Sequence, residues 1–197
     1  RLSREVAAFQ DTSQAAQKRR FEEDCAETEA FGQTYLPHYF ESPSADFHGD
    51  LDRMTAFERR HIFVVHGPRE HAKSTRCRAG LLRRVLKGEL HYPLVVSEEL
   101  KLAKGHLATL EAELTGNPRV EADFDVEITR KNMTQGILVA RITPEATGTS
   151  HEVRIDAVSY GSKVKGKIFM QHRPDFGLID DFEDGTSSRN ERIGREK

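Results

Sequence analysis

The run Ile62-Phe63-Val64-Val65-His66-Gly67-Pro68-Arg69-Glu70-His71-Ala72-Lys73-Ser74-Thr75 decides how this chain is read. Ile62 to Val65 reads as a buried strand feeding a turn that ends in Lys-Ser-Thr and opens into an amphipathic helix. That is the layout of a phosphate-binding loop. Phosphates need unpaired backbone N–H groups at a helix N-terminus, a compact ammonium, and a hydroxyl to hold Mg²⁺; Lys73 supplies the second and Ser74 the third. Gly67, Pro68, Arg69, Glu70, His71, Ala72, Lys73, Ser74 and Thr75 are thus the expected cradle for a nucleoside triphosphate. Ala72 stands where the consensus G-x-x-x-x-G-K-[ST] has its second glycine, so the backbone there is expected to avoid positive φ.

Downstream, Cys77, Leu81, Val85 and Leu86 form the buried stripe of a helix that Gly88 can terminate. Pro93 to Ser97 reads as a second buried strand. It leads into a long helix with Leu100, Ala103, Leu107, Leu110 and Leu114 along one side, capped by Ser97 and stopped by Gly116-Asn117-Pro118. Strand and helix alternating in this order imply an α/β fold, a mostly parallel sheet with right-handed crossovers. From Val126 the apolar period changes to two. Segments 126–128, 136–142 and 152–158 read as strands separated by polar turns, an insertion or edge extension of the sheet.

The C-terminal part carries an acidic element, Phe176-Gly177-Leu178-Ile179-Asp180-Asp181-Phe182-Glu183-Asp184. A carboxylate at the C-terminal end of a parallel strand lies where it can meet the phosphate loop. Asp180 is the candidate Mg²⁺ ligand with Ser74. The neighbouring Asp181 is the candidate for polarising the attacking water, a task it otherwise yields to the longer Glu183. Phosphoryl transfer also needs positive charge near the departing phosphate. Arg69 supplies it from within the loop; Arg173, Lys165 and Lys167 supply it in cis or to a neighbouring subunit. The plain alternative for the acidic run is a solvated loop.

Upstream, residues 3 to about 30 are rich in Ala, Glu, Gln and Lys and favour one or two peripheral helices with a thin apolar face. Phe31 to Phe40 is dense in aromatics and reads as a packed connector, although it lies where many nucleotide motors hold the adenine. Ser44 is a candidate N-cap for a helix running to about Arg60, with Phe47, Leu51, Met54 and Phe57 facing the core. His48 reads as a surface or packing residue of that helix. This divides the chain into a helical N-terminal subdomain, residues 1–58, and a phosphate-loop core, residues 59–197.

A chain of 197 residues can bury one good core with a small appended subdomain. Its first residue is Arg1 rather than Met, which reads as a piece of a longer protein. The net charge of −2 says little about partners. Arg59, Arg60, Arg69, Lys73, Arg76, Arg78, Arg83, Arg84 and Lys87 nonetheless crowd around the loop and its helix, and the ordinary meaning of such a cluster is a solvated helix face. Cys25 and Cys77, without a pairing pattern, suit a reducing cytoplasm. The nine histidines show no metal-ligand spacing, and no apolar run approaches a membrane span.

From Phe31 to Lys197 the chain resembles the large terminase subunit of tailed bacteriophages. The likeness rests on Tyr35-Leu36-Pro37-His38-Tyr39-Phe40 followed by Ser44 and Phe47-His48, on the arginine-containing loop Gly67 to Thr75, and on Arg173-Pro174-Asp175 running into Asp180-Asp181. The resemblance implies a RecA-like ATPase domain of the additional-strand catalytic-glutamate class, using ATP and Mg²⁺. It also implies a pentameric ring on the portal protein of an empty capsid, moving double-stranded DNA in the cytoplasm of the bacterial host with a small terminase subunit as partner. It points to Arg69 near the γ-phosphate, and to Lys165, in Val164-Lys165-Gly166, or Arg173 as the residue reaching a neighbour's site. The family pattern continues past Lys197 to a coupling motif and a nuclease domain, so the ATPase core is expected to be incomplete at its C-terminal end. Another phosphate-loop DNA motor, a helicase or mobilisation ATPase, would share the core residues, as would a nucleotide-binding module without turnover.

Overall fold

The computed structural model describes residues 2–56, 62–65 and 71–180. After a short turn of 3-10 helix at Leu2–Glu5 come α1 (Gln14–Arg19), running on into a π-turn at Arg20–Asp24, α2 (Thr28–Tyr35), α3 (Asp46–Ala56) and α4 (Lys73–Leu86). Then follow β1 (Pro93–Ser97), α5 (Leu100–Gly116), α6 (Pro118–Asp123), β2 (Phe124–Asn132), β3 (Ile137–Pro144), β4 (His151–Ser159) and β5 (Phe176–Ile179). The strands form one sheet in the order β2-β3-β4-β1-β5. β1 runs parallel to both β4 and β5, whereas β2-β3 and β3-β4 are antiparallel. The fold is α/β, and the sheet is mixed rather than mostly parallel. The expected edge extension is β2 and β3; β4 turns back from them to join the parallel group.

Alternation along each strand puts Val95, Leu138, Ala140, Ile142, Val153, Ile155, Ala157 and Leu178 on one face, and the cross-strand register aligns them. The buried residues of α2, α4 and α5 join them in one core: Phe31 and Tyr35, then Leu81, Leu82, Val85 and Leu86, then Ala103, Leu107, Leu110 and Leu114. The spacings of four, three and four residues along α5 are what a helix needs to keep one stripe on the sheet. Each such leucine or valine contributes roughly 1.5–3 kcal/mol on burial. The N-terminal segment is fastened by a polar anchor. Arg20 makes a bidentate pair with Asp123, both bonds 2.6 Å, and the Tyr35 hydroxyl donates to the same carboxylate at 2.7 Å.

Several expectations give way to tertiary context. Ile62 to Val65 form no strand and are exposed, Ile62 by 94% and Val64 by 73%. Branched apolar side chains favour a pleated surface only where sheet neighbours bury them, and the described sheet places no strand against this segment. Ser97 does not cap α5: it ends β1, fully buried, and Glu99 takes the cap position. Ser44 does not cap α3, because its hydroxyl donates to Glu29 at 2.6 Å. Phe47 is on the surface, while Leu51 is buried as expected. Phe57 and the boundary at 58/59 lie outside the described residues.

The arginines of α4 are not a solvated face. Arg76, Arg83 and Arg84 are all buried. Arg83 donates to the carbonyls of Cys25 and Ala26, and Arg84 to that of Thr55, so both tie α4 to the chain packed over it. The face of the sheet opposite the helices carries charge instead. Asp156, 1% exposed, accepts from Arg154 at 2.7 and 3.0 Å, from Lys167 at 2.7 Å and from the Tyr92 hydroxyl at 2.8 Å. Burial pulls the Asp156 pKa up, but the bonds from Arg154, Lys167 and Tyr92 outweigh it and hold it below 3.8. A depressed carboxyl contributes stability that is complete above pH 3.8 and lost as pH falls through the folded-state value. Asp156→Asn is therefore expected to cost about 1–3 kcal/mol at neutral pH. Denaturant titrations of both proteins should show that gap closing below pH 3.8; a gap that stays constant with pH would contradict the ion-pair account.

Candidate functional site

α4 begins at Lys73, where the sequence places the start of a helix. Lys73, Ser74 and Thr75 form its first turn, with Ala72 at the N-cap. Contrary to expectation, Ala72 adopts the left-handed conformation, φ 52° and ψ 16°. At this one position the backbone takes the shape that glycine favours, although the side chain opposes it. Placing a Cβ there costs roughly 1–2 kcal/mol, offset in part by the greater unfolded-state freedom of glycine. Ala72→Gly should stabilise the chain by about 0.5–1 kcal/mol. Thermal unfolding checks this, and a lowered midpoint would show that no strain is stored at the cap.

The opposite wall is the end of the parallel pair β1 and β5. Val96 faces Ile179 across the ladder, and the amide of Asp180 donates to the carbonyl of Val96 at 2.9 Å. Asp180 therefore follows the last ladder position, beside the end of β1, at the C-terminal edge of the sheet. Its carboxylate lies close enough to α4 to act on Cys77. Burial, and then the negative charge of Asp180, push that thiol up to about 11. Lys73 and Ser74 precede Cys77 by four and three residues, and this helix spacing puts them on the side of α4 that carries Cys77.

Two residues not anticipated from the sequence complete this wall. His106 of α5 puts Nε2 3.5 Å from Asp180 Oδ2. Its Nδ1 lies 3.0 Å from the guanidinium of Arg78, which in turn reaches Thr75 Oγ1 at 3.4 Å. The sequence signal was slight: His106 stands three residues after the buried Ala103 and one before Leu107, on the flank of the apolar stripe.

Beside the first turn of α4 opens a cleft of about 360 Å³. Tyr39, Phe40, Phe47, His48, Thr75 and Arg76 are among its lining residues. The aromatic block thus divides: Phe31 and Tyr35 belong to the buried face of α2 rather than to a connector, Leu36 caps that helix, and Tyr39 and Phe40 line the cleft. Arg76 pairs with Asp52 at 2.9 Å and with Glu29, contacts Ser44, and lies 4.9 Å from the Phe40 ring centre. His48 accepts from the amide of Ala45 at Nδ1 and donates from Nε2 to the carbonyl of His71, each at 3.1 Å, linking α3 to the entry of α4.

The remaining predicted residues are dispersed. Lys165 is exposed in the crossover between β4 and β5, and Lys167 is engaged by Asp156. Arg173 precedes β5, at the end of the strand opposite Asp180. The four residues of β5, at about 3.3 Å each, put roughly 13 Å between its two ends. Within one chain Arg173 therefore stands away from the α4 side of the sheet edge. Gly67, Pro68, Arg69, Glu70, Asp181 and Glu183 lie outside the described residues.

The donor set suits Mg²⁺. A serine hydroxyl and one carboxylate are hard oxygen ligands, and this cation commonly keeps several waters and takes the rest of its shell from phosphates. Among the described residues no cluster of three or more His, Cys, Asp or Glu side chains could hold a metal without such help, and no helix is long and apolar enough to cross a membrane. No protein-family model matches the chain, and no curated protein or solved structure matches it either.

Proposed function

We propose that the chain is a phosphate-loop ATPase domain, of the kind that drives double-stranded DNA into a capsid in the large terminase subunit of tailed bacteriophages. What supports the ATPase half is that Asp180, at the end of β5, lies near Cys77, on the side of α4 that begins with Lys73 and Ser74. The packaging half rests on the resemblance, which also supplies the portal protein, the small terminase subunit and the pentameric ring.

In this reading the amides at the start of α4 and the Lys73 ammonium hold the phosphates. Ser74 and Asp180 hold Mg²⁺, which would neutralise charge building between the β- and γ-phosphates. The cleft of Tyr39, Phe40 and Phe47 takes the base, its rings offering stacking surfaces close to the phosphate end. Asp181 or Glu183 orients the attacking water and Arg69 faces the γ-phosphate. Arg173, at the far end of β5, and the exposed Lys165 serve a neighbouring copy.

Steady-state phosphate release by the full chain tests the reading, with Mg²⁺ and with EDTA, beside Lys73→Ala. Mg²⁺-dependent release that Lys73→Ala abolishes is expected. The basal rate should be low, since an arginine donated by a neighbour can contribute about 10³–10⁵-fold. Release no faster than that of Lys73→Ala would overturn the enzyme and favour a nucleotide-binding module, the reading that Ala72 in place of glycine supports.

A further inference from the structure

We propose that His106, held by Arg78, is a positioning residue that sets the orientation of the Asp180 carboxylate for its cation; this rests on the ATPase reading. Arg78 has only donors, so the imidazole nitrogen facing it, Nδ1 at 3.0 Å, must be the acceptor. The proton of the neutral ring is then on Nε2, the nitrogen that faces Asp180 Oδ2 at 3.5 Å. At this distance the two groups are in electrostatic contact rather than hydrogen-bonded, and such contacts tighten when a site fills.

The order Arg78, His106, Asp180 has a chemical consequence. A guanidinium paired directly with Asp180 would cancel the charge that a divalent cation needs. An imidazole between them passes on orientation without placing a full positive charge against the carboxylate. His106 is well shielded, its side chain 13% exposed, so the ring is held in place rather than free to solvate. Arg78 also touches Thr75 in the first turn of α4. The same side chain therefore reads the phosphate end of the site and fixes the ring that contacts the metal ligand. Partners of this kind, one bond removed from the metal, are commonly worth about 10–100-fold in metal affinity.

The test is Mn²⁺ binding to the full chain with ADP, followed by equilibrium dialysis, with the Mn²⁺ held by free ADP measured on the protein-free side and subtracted. His106→Ala should weaken Mn²⁺ binding by about 10-fold or more, with ADP affinity in EDTA unchanged. His106→Gln, whose amide can accept from Arg78 and donate to Asp180, should restore most of it. Arg78→Met keeps the ring and should shift affinity in the same direction by less, so it reports even if His106→Ala does not fold. Unchanged Mn²⁺ affinity in both His106→Ala and Arg78→Met, with Asp180→Ala losing the ion, would overturn this inference alone. Retention of Mn²⁺ by Asp180→Ala would overturn the ATPase reading and this inference with it.

Discussion

Asp180→Ala is expected to lower Mg²⁺-dependent turnover by about 10²–10³-fold while leaving nucleotide binding in EDTA close to that of the unsubstituted chain. The reason is positional. Asp180 extends the parallel ladder past Ile179 and is carried by its backbone bond to Val96, so removing the carboxylate deletes the proposed ligand without removing a strand. Burial of Leu178, two residues earlier, is untouched, and thermal stability should change little. Phosphate release and nucleotide binding measured side by side distinguish this from a folding defect. Equal loss of binding and turnover would mean that Asp180 contacts the ground-state nucleotide. No loss of either would place the metal elsewhere.

Arg76→Met should be the most damaging single change to stability, about 3–5 kcal/mol, lowering the unfolding midpoint by about 10 °C or more. Arg76 is 3% exposed and pairs with both Asp52 and Glu29, the second of which also accepts from Ser44 and Gln33. Methionine preserves most of the stem and removes the charge, leaving those carboxylates against a site that water reaches poorly. Burial already raises the Asp52 pKa above 3.8, and the bond and charge of Arg76 restrain the rise. Without Arg76 the rise should grow. A raised carboxyl makes the charged form costly at neutral pH, and the cost is relieved as pH falls toward 3.8. Calorimetry across that range should show the variant's deficit shrinking on acidification. A deficit below about 0.5 kcal/mol would return Arg76 to the solvated face suggested by its sequence neighbours.

Much of the scaffold is legible in the order of residues. Pro93 to Ser97 appears as β1, Ala103, Leu107, Leu110 and Leu114 form the buried stripe of α5, and the alternating segments after Val126 form a meander. These succeed because period and burial agree within a single element. The failures need a second element to explain them. Ile62 to Val65 have strand composition but no sheet neighbour among the described residues, and Phe47 keeps helical spacing but turns to the open cleft beside His71. Arg76, Arg83 and Arg84 look like a soluble stripe until Glu29, Asp52, Cys25 and Thr55 arrive from elsewhere in the chain. Ser97 shows the same limit: a serine preceding a helix reads as a cap, but the parallel pairing with Ser159 draws it into the sheet. Of the candidate site, the start of α4 at Lys73 and the end of β5 before Asp180 were readable because strand and helix ends carry local signals. His106 and Arg78 were not, since their meaning arises only where α4, α5 and β5 meet.

The most direct test of the shared site is a cocrystal of the full chain with a non-hydrolysable ATP analogue and Mn²⁺, located by its anomalous scattering. The account predicts one Mn²⁺ within coordination distance of Ser74 Oγ, with Asp180 on the same ion directly or through one water, and the Lys73 ammonium on the phosphates. An ion bound with the nucleotide elsewhere on the chain, or phosphates lodged away from the first turn of α4, would contradict it.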